Sequence, residues 1–228
     1  MTTSALPPSR SAALSRLASE SFDLLVVGGG IVGSGVARDA ALRGLRVALI
    51  DQQDFAAGTS SRSTRLLHGG LRYLAQGEFG LVREASVEKK ILHRIAPHLG
   101  QPLGFLFPAY RGEGPPLWQL RIGVKLYDLL CSGRNFQPSR GYSRDETRAL
   151  LPGLKADGLR GAVRYFDALT NDARLVLDTL RSAARHGALL ANHTRLAGAT
   201  AGPNGWECQL SPTEIGRASC RERVSLNV

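Results

Sequence analysis

The stretch that decides the fold is FDLLVVGGGIVGSGVARDAALRGLRVALID, which spans residues 22–51. Its first apolar run, Phe22–Val27, is typical of a buried parallel strand. The apolar residues of Ile31–Leu42 recur at helical spacing, and Gly44 follows as a C-terminal cap. A second apolar run, Leu45–Ile50, predicts another strand. The segment therefore predicts a strand–helix–strand unit whose two strands are parallel.

The glycines between the first strand and the helix have the Gly-x-Gly-x-x-Gly spacing of a dinucleotide-binding loop. Gly28 permits the tight turn, Gly30 lets the backbone approach a pyrophosphate, and Gly33 lets the helix pack closely on the strand. The helix begins at Ile31, where free N–H groups favour an anion. Asp51 ends the second strand and can accept hydrogen bonds from ribose hydroxyls. These residues predict a bound dinucleotide and do not by themselves distinguish NAD from FAD.

The composition excludes several classes of protein. The chain has 228 residues, a formal net charge of +10 and 43% hydrophobic residues, so it has the apolar content of a folded core. Its basic residues are spread along the chain, which argues against nucleic-acid binding and leaves anionic small molecules or a membrane surface open. Cys131, Cys208 and Cys220 have neither disulfide nor metal-site spacing, so we expect a reducing compartment and no metal. No apolar run is long enough to span a membrane.

Periodicity and chain breakers predict the remaining elements. The segment from Asp51 to Gly70 is polar and predicts a long loop with short helical turns, and Pro102–Pro116 predicts a loop-rich connection. Helices are predicted over Phe79–Ile95, Leu117–Leu130, Asp145–Leu150 and Asp172–His186, and strands over Ala188–Ala199 and Trp206–Leu210, joined by a turn at residues 202–205.

The helix predicted over Leu117–Leu130 is apolar except for one polar stripe, formed by Arg121, Lys125 and Asp128. Such a helix is compatible with two positions. It can lie in a membrane interface with its cations at the headgroups, or it can be buried between domains, which is the commoner case.

A second motif follows Asp51, and here the chain resembles the FAD-dependent glycerol-3-phosphate dehydrogenases. The stretches that carry the resemblance are VGGGIVGSGVARDAALRG from Val27, TSSRSTRLLHGGLRYL from Thr59, RIGVKLYDLL from Arg121 and YFDALTNDARLVLDTL from Tyr165. The likeness covers about residues 22–210. It implies an α/β fold (α+β overall): a glutathione-reductase-type, Rossmann-like FAD-binding domain, here incomplete, with the start of an antiparallel substrate domain.

The resemblance also implies a function. This family oxidises sn-glycerol 3-phosphate to dihydroxyacetone phosphate and passes the electrons through FAD to a membrane quinone. Two alternatives remain: a glycerol-3-phosphate oxidase that uses oxygen, and a non-catalytic FAD-binding protein. The implied location is cytoplasmic. The alternative is a peripheral position on the inner face of a bacterial inner membrane.

The resemblance assigns roles residue by residue. Arg72 and Tyr73 match substrate-pocket positions, and the guanidinium suits a phosphate. The implied cofactor-binding residues are Gly28, Gly30, Ile31, Gly33, Asp51, Thr59, Ser60, Ser63, Thr64, Leu66, His68, Gly69 and Gly70. A single histidine such as His68 is more often structural. The chain departs from the family at Asp51, where Glu is common, and at Arg65, where Lys is common.

Three segments are expected along the chain. Residues 1–20 are expected to be a disordered N-terminus, and residues 21–213 the N-terminal part of an FAD-dependent oxidoreductase domain. Residues 214–228 include EIGRASCRERV, which resembles a translated sequencing adapter, so we expect an artefactual tail on a truncated frame. The family's catalytic base would then lie beyond this chain, which would contain no catalytic residue and would be inactive alone.

Overall fold

The computed structural model describes residues 9–74, 76–130, 137–203, 205–213 and 224–227. The chain divides into two compact units. Unit 1 combines Met1–Thr64 with Asp172–Val228, and unit 2 is Arg65–Asn171.

The described residues form helices and strands of both units. The helices are α1 Arg10–Ser19, α2 Ile31–Leu42, α3 Leu71–Leu74, α4 Phe79–Ile95, α5 Leu117–Leu130, α6 Arg144–Leu150 and α7 Asp172–Arg185. The strands are β1 Leu24–Val27, β2 Val47–Ile50, β3 Leu66–Leu67, β4 Gln101–Tyr110, β5 Arg140–Ser143, β6 Leu159–Leu169, β7 Leu189–Ala191, β8 Thr194–Gly202, β9 Gly205–Pro212 and β10 Val224–Asn227.

Unit 1 is built on a parallel sheet with the order β1-β2-β7. Successive residues of a strand point to opposite faces, and β2 is buried on both. Val47 and Leu49 pack with α2 and α7, whereas Ala48 and Ile50 pack with Leu17 of α1 and with the antiparallel sheet β8-β9-β10. The predicted strand–helix–strand unit is confirmed, including both ends of α2.

Gly44 ends α2, as the sequence predicts. Gly44 lies just beyond the helix with φ 84°, and its N–H donates to the carbonyl of Ala41 over 3.0 Å. A glycine is favoured there because a side chain is strained in the left-handed region.

The N-terminus differs from the expected disorder over residues 1–20. Ser9 caps α1 by accepting a hydrogen bond from the N–H of Ala12. Ala13 and Leu17, one turn apart, are fully buried in the core beside the parallel sheet. Burial of this apolar stripe outweighs the weak helix signal of a serine-rich segment. Residues 1–8 lie outside the described part.

Unit 2 is an antiparallel sheet centred on β6. This strand pairs with β4 along one edge and with β3 and β5 along the other. Val82 of α4 and Tyr127 of α5 are fully buried in its apolar cluster. The helices predicted over Phe79–Ile95 and Leu117–Leu130 are confirmed.

The prediction of a loop-rich Pro102–Pro116 is wrong over its first part. Residues 101–110 form β4, a ten-residue strand along β6. Among the described strands β4 pairs with β6 only, so Pro102 and Pro108 remove no second ladder of hydrogen bonds. The sequence does not predict a strand for β6 either.

The strand predicted over Ala188–Ala199 is two strands. His193, with φ 48°, separates β7 from β8, so the first joins the parallel sheet and the second the antiparallel one. The hairpin is confirmed, with Gly202 paired to Gly205. Within the expected artefactual tail, Val224–Asn227 adds β10 beside β9. Residues 214–223 and 228 lie outside the described part, and the artefact stays a prediction.

Candidate functional site

The glycine loop joins β1 to α2. Gly28 has φ 109°, and its N–H donates to the carbonyl of Ile50 over 2.8 Å. A Cβ on Gly33 would overlap the carbonyl oxygen of Gly28 and lie 3.4 Å from Cγ1 of Val26. Glycine at position 33 therefore lets α2 lie against the loop and strand. The turn is built as the spacing predicts, and its cofactor role stays a prediction at this point.

Ser60 lies at the start of α2, although it is distant in sequence. It is buried in a short 3₁₀ turn, Thr59–Ser61, and its Oγ accepts a hydrogen bond from the N–H of Ile31 over 3.1 Å. A Cβ on Gly30 would lie 3.5 Å from the same oxygen. The N-cap residue Gly30 has no side chain, so Ser60 supplies the hydroxyl that satisfies a first-turn N–H.

Asp51 anchors the glycine loop. Its Oδ2 accepts a hydrogen bond from the N–H of Gly29 over 2.7 Å, and its Oδ1 accepts one from Gln53 over 2.8 Å. Each carboxylate oxygen has a second lone pair for a ribose hydroxyl. The sequence predicts the ribose role of Asp51 but not its hydrogen bond to Gly29. The Asp-x-x spacing of an Asx turn was the available signal for the bond to Gln53.

The other predicted residues of unit 1 are exposed. Thr59 and Thr64 both present their side chains to solvent. Ser63 Oγ donates to Oδ2 of Asp172, at the start of α7, over 2.5 Å. The structure thus brings Gly30, Ile31 and Ser60 together and ties Ser63 to α7.

The remaining predicted residues lie in unit 2. Leu66 pairs with Leu169 in the sheet, and His68 is exposed. Gly70 is buried with φ 71°, and a Cβ there would meet the Tyr73 ring, 3.1 Å from its Cε2. Tyr73 is half-buried in the apolar cluster of the unit. Residue 72 lies in the backbone of α3, and its side chain lies outside the described part.

A buried ion pair that the sequence did not predict lies next to Gly69. Lys89 Nζ lies 2.7 Å from Asp167 Oδ1, and each side chain is 5% exposed. Tyr127, which is fully buried, donates its hydroxyl hydrogen to the same oxygen over 2.8 Å. The N–H of Gly69 lies 3.2 Å from that oxygen and 3.1 Å from the Tyr127 hydroxyl. No local pattern reveals this cluster because its members come from four separate segments.

Helix α5 is buried on one side only. Val124 and Tyr127 face the core, whereas Trp118, Ile122 and Leu129 are 64%, 59% and 72% exposed. The two positions that the sequence leaves open for α5, burial between domains and a membrane interface, both stay predictions.

The polar stripe of α5 contacts protein. Lys125 Nζ donates to the carbonyl of Ser139 over 2.8 Å, and the N–H of Ser139 donates to Asp128 Oδ2 over 2.8 Å. Among the described residues no helix is long and apolar enough to cross a membrane, and no group of His, Cys, Asp and Glu is arranged to hold a metal.

The fold and loop of unit 1 define a class of protein. A glycine turn between a buried parallel strand and a helix, with an acid at the end of the next strand, is a dinucleotide-binding arrangement. Residues 23–224 match the FAD dependent oxidoreductase family. The chain therefore belongs to this family, and its cofactor is FAD.

Two relatives show where in the family the chain lies. It is 47% identical over 193 residues to glycerol-3-phosphate dehydrogenase 2 of Mycobacterium tuberculosis, covering 83% of this chain and 32% of the relative. It is 41% identical over 179 residues to the aerobic glycerol-3-phosphate dehydrogenase of Staphylococcus aureus, covering 78% of this chain and 32% of the relative. The chain thus spans about a third of the length of these relatives.

Solved structures share the fold. The glycerol-3-phosphate dehydrogenase of Bacillus halodurans, complexed with FAD, superposes with a TM-score of 0.70 at 24% identity, over 96% of this chain and 35% of that one. The L-alpha-glycerophosphate oxidase of Mycoplasma pneumoniae, with FAD bound, gives a TM-score of 0.62 at 17% identity, over 84% and 49%.

The residues of unit 1 fit FAD. The loop at Gly28–Gly30 carries no side chain that would keep a pyrophosphate from the backbone, and α2 begins directly after it. The positive end of the helix favours the pyrophosphate charge. The carboxylate of Asp51 keeps acceptor capacity for the ribose beside this loop.

Proposed function

We propose that the whole protein that carries this chain is an FAD-dependent glycerol-3-phosphate dehydrogenase. The observation that carries this proposal is the 47% identity over 193 residues to a protein of that name. The substrate is sn-glycerol 3-phosphate and the product is dihydroxyacetone phosphate.

Each part of the chain has a role in this proposal. The glycine loop and the start of α2 hold the pyrophosphate, and Asp51 holds the ribose while anchoring Gly29. When bound, FAD supplies the acceptor for the hydride that leaves the substrate. The proton of the substrate hydroxyl goes to a general base.

Arg72 is proposed to bind the substrate phosphate, with Tyr73 beside it in the same short helix. A guanidinium can donate two parallel hydrogen bonds to phosphate oxygens. We expect Arg72→Ala to raise KM and lower kcat for glycerol 3-phosphate, because binding of the remote phosphate also orients the reacting carbon. Arg72→Lys keeps the charge and loses the fork, so its activity should be intermediate.

The deciding experiment compares glycerol 3-phosphate with glycerol in wild-type protein and Arg72→Ala. If Arg72 binds the phosphate, only the phosphorylated substrate loses rate. An equal loss with both substrates would reject the phosphate role. Bound FAD that no addition of glycerol 3-phosphate bleaches in wild-type protein would favour the non-catalytic FAD-binding alternative.

The electron acceptor is proposed to be a membrane quinone, and the protein to be cytoplasmic with a peripheral contact on the membrane. The exposed apolar residues of α5, Trp118, Ile122 and Leu129, support such a contact. Quinone reduction without hydrogen peroxide would support the dehydrogenase. Stoichiometric peroxide would instead support the oxidase, a candidate because a glycerophosphate oxidase shares the fold.

The membrane contact has its own test. Wild-type protein should float with anionic lipid vesicles, and a variant with Trp118→Ser and Ile122→Ser should stay in the soluble fraction. Equal flotation of the two proteins would reject α5 as the contact.

A further inference from the structure

Three separate elements of unit 2 contribute side chains to one hydrogen-bonded cluster, and two of these side chains accept from the same backbone N–H. Lys89 comes from α4, Tyr127 from α5 and Asp167 from β6, and they meet at Gly69, in the turn between β3 and α3. The next residue, Gly70, is also buried. We call Lys89, Tyr127 and Asp167 the anchor cluster.

The hydrogen bonds of the cluster are shared around two oxygens. Asp167 Oδ1 accepts from Lys89, from Tyr127 and from the N–H of Gly69. The Tyr127 hydroxyl donates to Asp167 and accepts from Gly69 and, over 3.3 Å, from Lys89. A phenol hydroxyl has one hydrogen and two lone pairs, so this one uses its full capacity. Burial and the charge of Asp167 raise the pKa of the neighbouring Tyr165.

A buried ion pair is weak evidence for stability alone. Bringing two charges out of water costs about as much as their attraction returns, and apolar residues of similar volume often do as well. What the Asp167 carboxylate of this pair does that an apolar residue cannot is accept a hydrogen bond from a buried backbone N–H. That N–H belongs to Gly69, within the stretch HGGLRY at residues 68–73.

The glycine pair is shaped to this contact. A Cβ on Gly69 would overlap the Tyr127 hydroxyl and lie 2.6 Å from Ser86 Oγ. Gly69 can therefore donate to the cluster only because it has no side chain. Gly70 then turns the chain with φ 71° into α3, which carries Arg72 and Tyr73.

We propose that Lys89, Tyr127 and Asp167 are positioning residues that fix the Gly69–Gly70 turn, and through it the residues that meet FAD and the substrate phosphate. This inference rests on the proposed function, because the phosphate role of Arg72 comes from there; the cofactor roles of His68, Gly69 and Gly70 come from the family resemblance. We assign the cluster no contact with either ligand; it acts through the backbone of Gly69.

The first test follows the turn directly and requires no activity. Hydrogen exchange of the peptide covering residues 67–74 is measured by mass spectrometry in FAD-free protein. Tyr127→Phe keeps the buried ring and removes one of the two acceptors of the Gly69 N–H. We expect this peptide to exchange about 2- to 12-fold faster, the range that the loss of one hydrogen bond gives.

A control variant separates this effect from general loosening of unit 2. Tyr142 is also buried, but it lies in β5. It pairs with Ala162, which comes before Asp167 in β6 and lies nearer the start of that strand. We expect Tyr142→Phe to leave exchange at residues 67–74 unchanged.

The second test measures function per bound flavin. In Tyr127→Phe we expect the KM for glycerol 3-phosphate or the FAD dissociation constant to rise by a similar factor, with kcat per flavin reduced. A purely structural role would lower the amount of folded protein that carries FAD. It would leave the KM, the FAD dissociation constant and the kcat per flavin unchanged. Lys89→Arg keeps a cation that can bind Asp167, so we expect wild-type values of KM, FAD dissociation constant and kcat per flavin. The double variant Lys89→Met with Asp167→Leu removes both charges together, and we expect it to lose these wild-type values.

The outcomes separate the two proposals. Unchanged exchange at residues 67–74 in Tyr127→Phe, or faster exchange with unchanged FAD affinity and KM, would overturn the positioning role. If wild-type protein does not reduce its flavin with glycerol 3-phosphate, the proposed function fails. Exchange and FAD affinity then still decide whether the cluster positions the turn.

Discussion

Replacing Gly33 by alanine tests how tightly α2 must approach the glycine loop. The added Cβ would overlap the carbonyl oxygen of Gly28 and lie 3.1 Å from its carbonyl carbon. Carbon atoms pack best at about 3.5–4.0 Å, so the start of α2 has to move away from the loop. Overpacking of this kind costs about 1–3 kcal/mol.

Gly35→Ala is the matched control. Gly35 lies two residues further along α2, and a Cβ there would have no atom within 4 Å. Both substitutions gain about 1 kcal/mol of helix propensity. The difference in unfolding free energy between the two variants therefore isolates the overlap, and we expect Gly33→Ala to be less stable by about 1–3 kcal/mol.

Urea unfolding of the whole protein measures this difference, and titration of FAD-free protein measures cofactor affinity. A shift of the helix start also moves the N–H groups that face the pyrophosphate, so FAD affinity should fall in Gly33→Ala and not in Gly35→Ala. Equal stability, within about 0.5 kcal/mol, together with equal FAD affinity would refute the packing argument.

Three further predictions follow from single contacts. Asp51→Ala removes the acceptor of the Gly29 N–H and the ribose ligand, so FAD affinity in a titration should fall tenfold or more, since a hydrogen bond to a charged group contributes about 1.5–3 kcal/mol; unchanged affinity would reject both roles. Ser143→Ala breaks the capping box with Glu146 and should cost about 1 kcal/mol in urea unfolding; no loss would show that α6 is fixed by tertiary contacts alone. Burial raises the pKa of the Cys208 thiol, so its thiolate fraction is low at neutral pH and iodoacetamide should label it slowly, faster as pH rises towards that pKa; equal labelling rates in native and urea-unfolded protein would contradict its burial.

The sequence predicted elements whose signals are local. The glycine spacing and the apolar period of Ile31–Leu42 located α2 at both ends, and α4 and α5 were equally clear. In each case the residues that form the element also carry its pattern. The parallel pairing of the first two strands followed from the same short segment.

Elements that depend on distant partners were missed. The sequence did not predict β4 because the segment contains two prolines. The strand forms because β6 pairs with β4 along the whole length of β4. The helix α1 owes its order to burial of Leu17 against strands that come far later in the chain. Neither cause can be seen in a window of neighbouring residues.

The candidate site divides along the same line. The glycines were found from their spacing, whereas the hydrogen bond from Gly29 to Asp51 and the buried position of Lys89 were not. Lys89 is followed directly by Lys90 in a charged helical segment, and nothing in that segment marks one of them as buried. The partner of Lys89, Asp167, lies in β6, far later in the chain, and only the fold brings the two side chains together.

The order of the chain in unit 1 has a consequence for synthesis. Ala48 of β2 pairs with Leu189 of β7, and all of unit 2 is made between them. A ribosome adds about 5–20 residues per second, so one edge of β2 waits roughly 7–30 s for its neighbour. An open strand edge is a template for wrong pairing. A mutation that delays the folding of unit 2 therefore exposes the nascent cofactor-binding sheet to aggregation for longer, although it changes no contact within that sheet.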